Sequence, residues 1–312
     1  MDGLPEMTFY AEDRFQLSFY RNMTIHLFVS QALVCAALYT KVKVGGGPET
    51  QTISFQELHA YVLFLSQLFR AEFIFPTTPL EENLMLTLKG LEEDRVLLTT
   101  KDSPNAPDKP AHIALHPDER ASGRENFDFY NFLIWPFIEA SWLGATALFM
   151  LTPPASAPDT EMWVDFRRFQ DLAQLLGKTL YHQGDLSYFE AVNKEALKNA
   201  LSRSEEEGII VVSRSKDSNV PARVRLDLEW IPVRDEEGRV VPHGSKLWEL
   251  CERISQGRRE GKNRRDGATV VTRVLNLCEL VGRELWVGAV AEPDGVGKRS
   301  LRRKGIQTKA QL

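Results

Sequence analysis

At 312 residues the chain has room for one large domain or two ordinary ones, and a content of 43% hydrophobic and 26% charged residues is that of a globular protein. A net charge of −5 excludes a chain held to nucleic acid by its overall charge. The three cysteines, Cys35, Cys251 and Cys278, form no Cys-x-x-Cys pair, so a zinc or dithiol motif is excluded and packed, reduced thiols are expected.

Residues 1–14 are acidic and lack the apolar stretch of a signal peptide, so they read as a loose lead. Phe15 to Tyr39 reads as one long helix that is apolar nearly all round, and such a helix belongs inside a structure. One polar line runs along it: Ser18, Asn22, His26 and Ser30 recur every fourth residue, with Arg21 beside them. Residues four apart share a helix flank, so these five form a candidate polar seam. The seam serves either to hold a phosphate or acidic partner through Arg21, or to dock this helix against another domain.

Lys41 to Thr50 is a glycine loop; Gly45-Gly46-Gly47 lacks the Gly-Lys-Ser/Thr of a phosphate loop. Phe55 to Arg70 has a helical apolar period. A third helix is expected to open with Thr78 as N-cap, Pro79 in its first turn and Glu81 closing a capping box. Lys101 to Gly123, rich in Pro and charge, reads as an exposed insertion. His112 and His116 have His-x3-His spacing, but the surrounding prolines argue for a loop and not a metal-binding helix.

Tyr130 to Leu151 is predicted helical, bent or restarted at Pro136. It is close to the length of a membrane span, but Glu139 makes burial in a protein core the better reading. Pro153 to Asp159 is the best internal linker. Beyond it lie a helix over Phe166 to Leu180, a turn at His182-Gln183-Gly184, a helix over Asn193 to Arg203 ending at Gly208, and a strand at Ile209 to Ser213. Strict alternation over Arg223 to Trp230 predicts a half-exposed strand. Two helices followed by a hairpin resemble a winged-helix unit. Helices return at Ser245 to Ile254 and Thr269 to Leu285. Between them Gly257 to Asp266 is expected to be disordered. The basic clusters Arg258, Arg259, Lys262, Arg264, Arg265 and Lys298 to Lys304 serve to hold anionic lipid, to touch nucleic acid, or simply as solubilising tails.

Four blocks carry a family resemblance in a consistent order. They are Phe19-Tyr20-Arg21-Asn22 with Ile25-His26-Leu27-Phe28; Arg70 to Leu91, RAEFIFPTTPLEENLMLTLKGL; Leu133 to Trp142, LIWPFIEASW; and Lys194 to Leu201, KEALKNAL, within Gly184 to Gly208. Over about residues 15–215 the chain resembles the C-terminal region of glycerol-3-phosphate and dihydroxyacetone-phosphate acyltransferases. Members of that family carry a His-x4-Asp motif in a catalytic domain, where the His takes the acceptor's proton and the Asp orients it. This chain has six histidines, and five residues after His26, His59, His112, His116, His182 and His243 stand Gln31, Phe64, Pro117, Ala121, Ser187 and Trp248. None is Asp, so no catalytic residue is assigned.

The expected fold is mainly α: a helical domain over 1–152, a smaller α+β winged-helix-like C-terminal portion over 160–290, and a flexible basic tail over 291–312. The resemblance implies an accessory domain, non-catalytic on its own, whether as a fragment, a split product or a remnant of such an enzyme. Its partners would be an acyltransferase catalytic domain or subunit and a membrane surface. Acyl-CoA and glycerol-3-phosphate or dihydroxyacetone phosphate would be met through that partner. No cofactor, metal or nucleic acid is expected. The location implied is intracellular and membrane-associated (mitochondrial, endoplasmic reticulum or peroxisomal), with a soluble protein as the alternative. The ending Ala310-Gln311-Leu312 loosely resembles a peroxisomal address. A different class of reading is a winged-helix-type binding module for protein or nucleic acid. Against nucleic acid stand the mixed charges of Lys194, Glu195 and Lys198 and the acidic run Glu205 to Glu207.

Overall fold

In the computed structural model, residues 23–101, 109–157, 161–217, 219–259 and 267–291 are described. Packing divides the chain into two units, 1–134 and 135–312.

The first unit is built on α1, Val29–Val42. Ala32 through Tyr39 are all buried there, so the helix is enclosed on every side. The expected single helix from Phe15 is interrupted. A 3-10 turn covers Ile25–Leu27, and Phe28 leaves helical conformation at φ −122°, ψ 5°. Burial explains the break: Met23, Leu27 and His26 are exposed, so the all-round apolar environment begins only at Val29. Phe28 packs its ring on Phe129 and Tyr130, with centroids 6.1 and 6.3 Å away.

Around α1 lie α2, Phe55–Leu68, and α3, Leu80–Glu93. A capping box does occur, but at α2: the Glu57 amide donates to Ser54 Oγ at 3.2 Å, and the Ser54 amide donates to the Glu57 carboxylate at 3.2 Å. Ser54→Ala is expected to cost about 1 kcal/mol, read as a shift in the urea unfolding midpoint. The box expected at Thr78 is absent. Pro79 is the N-cap of α3, and the Thr78 hydroxyl instead donates to Asn83 Oδ1 at 2.6 Å.

The segment read as an exposed insertion holds the central strand of a sheet. β1, Thr52–Ser54, β2, Leu97–Thr100, and β3, His112–Leu115, pair antiparallel in the order β1-β3-β2, with Ile53 opposite Ile113 and Leu97 opposite Leu115. Ile113 and Leu115 are buried while His112 points out, the alternation of a one-sided strand. A short helix α4, Pro117–Ala121, follows. Its Glu119 is buried and accepts the Phe127 amide at 2.8 Å, placing a carboxylate at the start of the next helix.

That helix, α5, runs Glu125–Ala147 through Pro136 and ends in a 3-10 turn, Leu148–Leu151. Glu125–Leu151 is long and apolar enough to cross a membrane, yet 83% of its most apolar window is buried, as in a core helix.

In the second unit, β4, Val164–Asp165, leads into α6, Phe166–Gln183, with Asp165 accepting the Arg168 amide at 2.8 Å as N-cap. Gly184, at φ 80°, ends α6 in the left-handed conformation that a side chain would disfavour. α7, Lys194–Glu206, is capped by Asn193. β5, Ile210–Ser213, and β6, Arg223–Leu226, complete a sheet in the order β4-β6-β5. Two helices between the first and second strands, with the third strand in the middle, is winged-helix connectivity. The alternating strand expected to reach Trp230 stops at Leu226, where a 3-10 turn, Leu228–Trp230, begins; Arg225 is buried, not solvated. The fold ends with α8, Lys246–Gln256, and α9, Gly267–Trp286. The architecture is mainly α with a smaller α+β portion, as expected.

Candidate functional site

Among the buried polar residues of α5, which include Asn131 and Thr146, Glu139 is the one that carries a carboxylate, and it is fully buried. A buried carboxylate needs partners. Glu139 has three: the amides of Ser187 and Tyr188 donate to Oε2 at 2.9 Å each, and the Arg258 guanidinium lies 3.6 Å from Oε1. Arg258 also donates to the Asp185 carbonyl at 2.6 Å and stacks 3.6 Å over the Trp142 ring. Arg273, from α9, pairs with the Asp185 carboxylate. Arg259 lies 5.5 Å from the centre of the Trp135 ring, two turns before Trp142 on α5.

Burial dominates the electrostatics of this cluster. It pushes the Glu139 carboxyl above its usual range, against the pull of Arg258 and the two amides. It pulls the Arg258 guanidinium down, against the support of Glu139 and Asp185. Every oxygen of Glu139 is turned to protein donors, which leaves no position for a reacting hydroxyl. The arrangement is an ionic lock between the end of α5, the segment after α6 and the last two helices.

Arg258 and Arg259 were expected among solvated basic residues. Arg258 is instead largely enclosed, because Glu139 demands a cation and Trp142 offers it a π face. Lys262, Arg264, Arg265 and Lys298 to Lys304 lie outside the described residues, as does the tail from residue 292.

Of the polar seam, Ser18, Arg21 and Asn22 lie outside the described residues. His26 is exposed on the 3-10 turn, and Ser30 is half-buried on α1. Among the other histidines, His116 sits 3.6 Å from Asp118, but its Nδ1 accepts the Asp118 amide at 3.2 Å. It therefore caps α4 instead of being oriented by the carboxylate as a general base would be. Among the described residues no group of three or more His, Cys, Asp or Glu is placed to hold a metal ion. All three thiols are buried; burial pushes Cys251 up to about 12 and raises Cys35 and Cys278 strongly, so none is a poised nucleophile.

These features define a helical packing scaffold with a small winged-helix-like portion, held by a buried ion cluster. The chain belongs to the family of the glycerol-3-phosphate acyltransferase C-terminal region, whose model matches residues 1–213. No curated protein matches it. It is thus a domain associated with glycerolipid acyltransferases, a class in which a C-terminal region accompanies a catalytic domain. Arg258 and Arg273, which complete the lock, both stand beyond the matched residues.

Proposed function

We propose that this chain is an accessory domain that works with an acyltransferase catalytic domain and is non-catalytic by itself. The catalytic domain would carry the His-x4-Asp motif and move an acyl group from acyl-CoA to glycerol-3-phosphate or dihydroxyacetone phosphate. The observation that carries the reading is the family match over residues 1–213 in a chain whose six histidines all lack an Asp five residues on. The part of the polar seam before the break at Phe28, Ser18, Arg21, Asn22 and His26, is assigned to docking against that domain; Ser30, half-buried on α1, is not. Exposed His26 next to exposed Met23 and Leu27 supports this assignment, as an apolar surface with a hydrogen-bonding group suits a protein partner. Contact with an intracellular membrane surface belongs to the same reading.

Affinity purification of the full chain from its own cells tests it. A His-x4-Asp-bearing polypeptide is expected to co-purify along with acyl transfer from labelled acyl-CoA, and the chain separated from it should be silent. Arg21→Ala should weaken that association while leaving the KM for the acceptor unchanged. Turnover by the isolated chain, or a purification without any such polypeptide, would overturn the proposal.

A further inference from the structure

A small cleft opens in the second unit between the 3-10 turn after α5, the Arg234–Val240 hairpin and one stripe of α9. Its volume is about 70 Å³. That is roughly five to seven times the 10–15 Å³ needed to seat one water, so a chain of a few carbon atoms fits. Phe149, Met150, Leu275 and Trp286 make the floor apolar, while Thr152, Arg234, Glu279 and Arg283 stand on the walls. The walls are also fixed. Trp286 Nε1 donates to the Met150 carbonyl at 3.1 Å. Gly282 lies so close to Met150 that a Cβ there would sit 3.2 Å from its carbonyl oxygen.

Charge around the cleft is one-sided. Arg234 and Glu279 form an ion pair at 3.1 Å, and Arg234 also donates to the carbonyls of Pro153 and Gly238 at 2.8 and 2.6 Å. That pair cancels. Arg283 also lines the cleft; it is exposed and is not held by any ion pair among the described residues. An apolar slot with one uncommitted guanidinium beside it favours a ligand with a short aliphatic body and an anionic head.

We infer that this cleft binds a short unbranched aliphatic carboxylate, its chain against Leu275 and Trp286 and its carboxylate on Arg283. Such a site is independent of the acyl-transfer reading above.

Trp286 makes the test direct, because a bromine carried into the cleft quenches its fluorescence. The probe is 6-bromohexanoate, titrated into the full chain and displaced with hexanoate. Saturable quenching is expected, lost by more than half in Trp286→Phe, and hexylammonium should not displace the probe. Arg283→Glu, a surface change, should weaken binding at least tenfold with an unchanged circular dichroism spectrum. Non-saturating quenching, equal affinity in Arg283→Glu, or equal competition by hexanol and hexylammonium would overturn the inference.

Discussion

Arg258→Ala is expected to lower the unfolding free energy by about 3–5 kcal/mol at pH 7, the cost of leaving a buried partner charge alone. Glu139 is fully buried, and without Arg258 it keeps only the two amides of Ser187 and Tyr188. The loss also uncovers one face of Trp142 and frees the Asp185 carbonyl. Chemical denaturation monitored by tryptophan fluorescence measures it. A cost under 1 kcal/mol would mean that Arg258 is not what compensates Glu139.

The same variant has a signature in pH. The folded Glu139 carboxyl is raised above its usual range by burial, so between the unfolded and folded values the native state binds more protons than the unfolded one. Stability contributed by this group is therefore full below the unfolded value and declines as pH rises through the folded one. Arg258 opposes that decline, since it favours the ionised form. Removing it raises the folded value further and deepens the loss at neutral pH. The gap between wild type and Arg258→Ala should accordingly narrow as pH is lowered toward the unfolded carboxylate range. A gap that is flat from pH 5 to 7.5 would assign the defect to lost packing on Trp142 alone.

The parts of the fold that could be read beforehand are those whose information is local. α2, α6, α7 and α8 each carry an apolar stripe of helical period, and Gly184 and Asn193 mark their ends by turn chemistry that acts within a few residues. The first sheet was illegible for the opposite reason. β1 has three residues and β3 sits between a proline-rich stretch and His116-Pro117, so neither is long enough for alternation to outweigh its surroundings. Pairing between β3 and its two neighbours, not propensity, makes it a strand. The Thr78 box failed because Pro79 occupies the capping position itself, and Asn83 competes for the Thr78 hydroxyl.

The lock was half-legible. A lone carboxylate in LIWPFIEASW, flanked by Trp135 and Trp142 on the same helix, calls for a cation. Which cation answers was hidden, because Arg258 stands among several basic residues that look equally solvated. The seam shows the converse case: its spacing was plain, but a four-residue period means one flank only while the helix continues, and Phe28 breaks it between His26 and Ser30.

The second large effect lies where α5 and α7 touch. A Cβ built on Gly144 would stand 2.6 Å from the Cβ of Ala200. Ala200 has no side-chain torsion with which to retreat, so Gly144→Ala must separate two backbones. Overpacking of this kind costs about 1–3 kcal/mol, while alanine regains about 1 kcal/mol of helix propensity over glycine. A net loss of up to about 2 kcal/mol is expected for Ala, and Gly144→Leu should leave no folded second unit. Gly177 is a softer case. Its added Cβ would meet Leu143 Cδ2 at 2.5 Å, the end of a side chain that can swing. The diagnostic experiment is a double-mutant cycle: Ala200→Gly removes the opposing methyl, so Gly144→Ala combined with it should recover most of the loss. Additive losses would show that the contact does not limit the approach of the two helices.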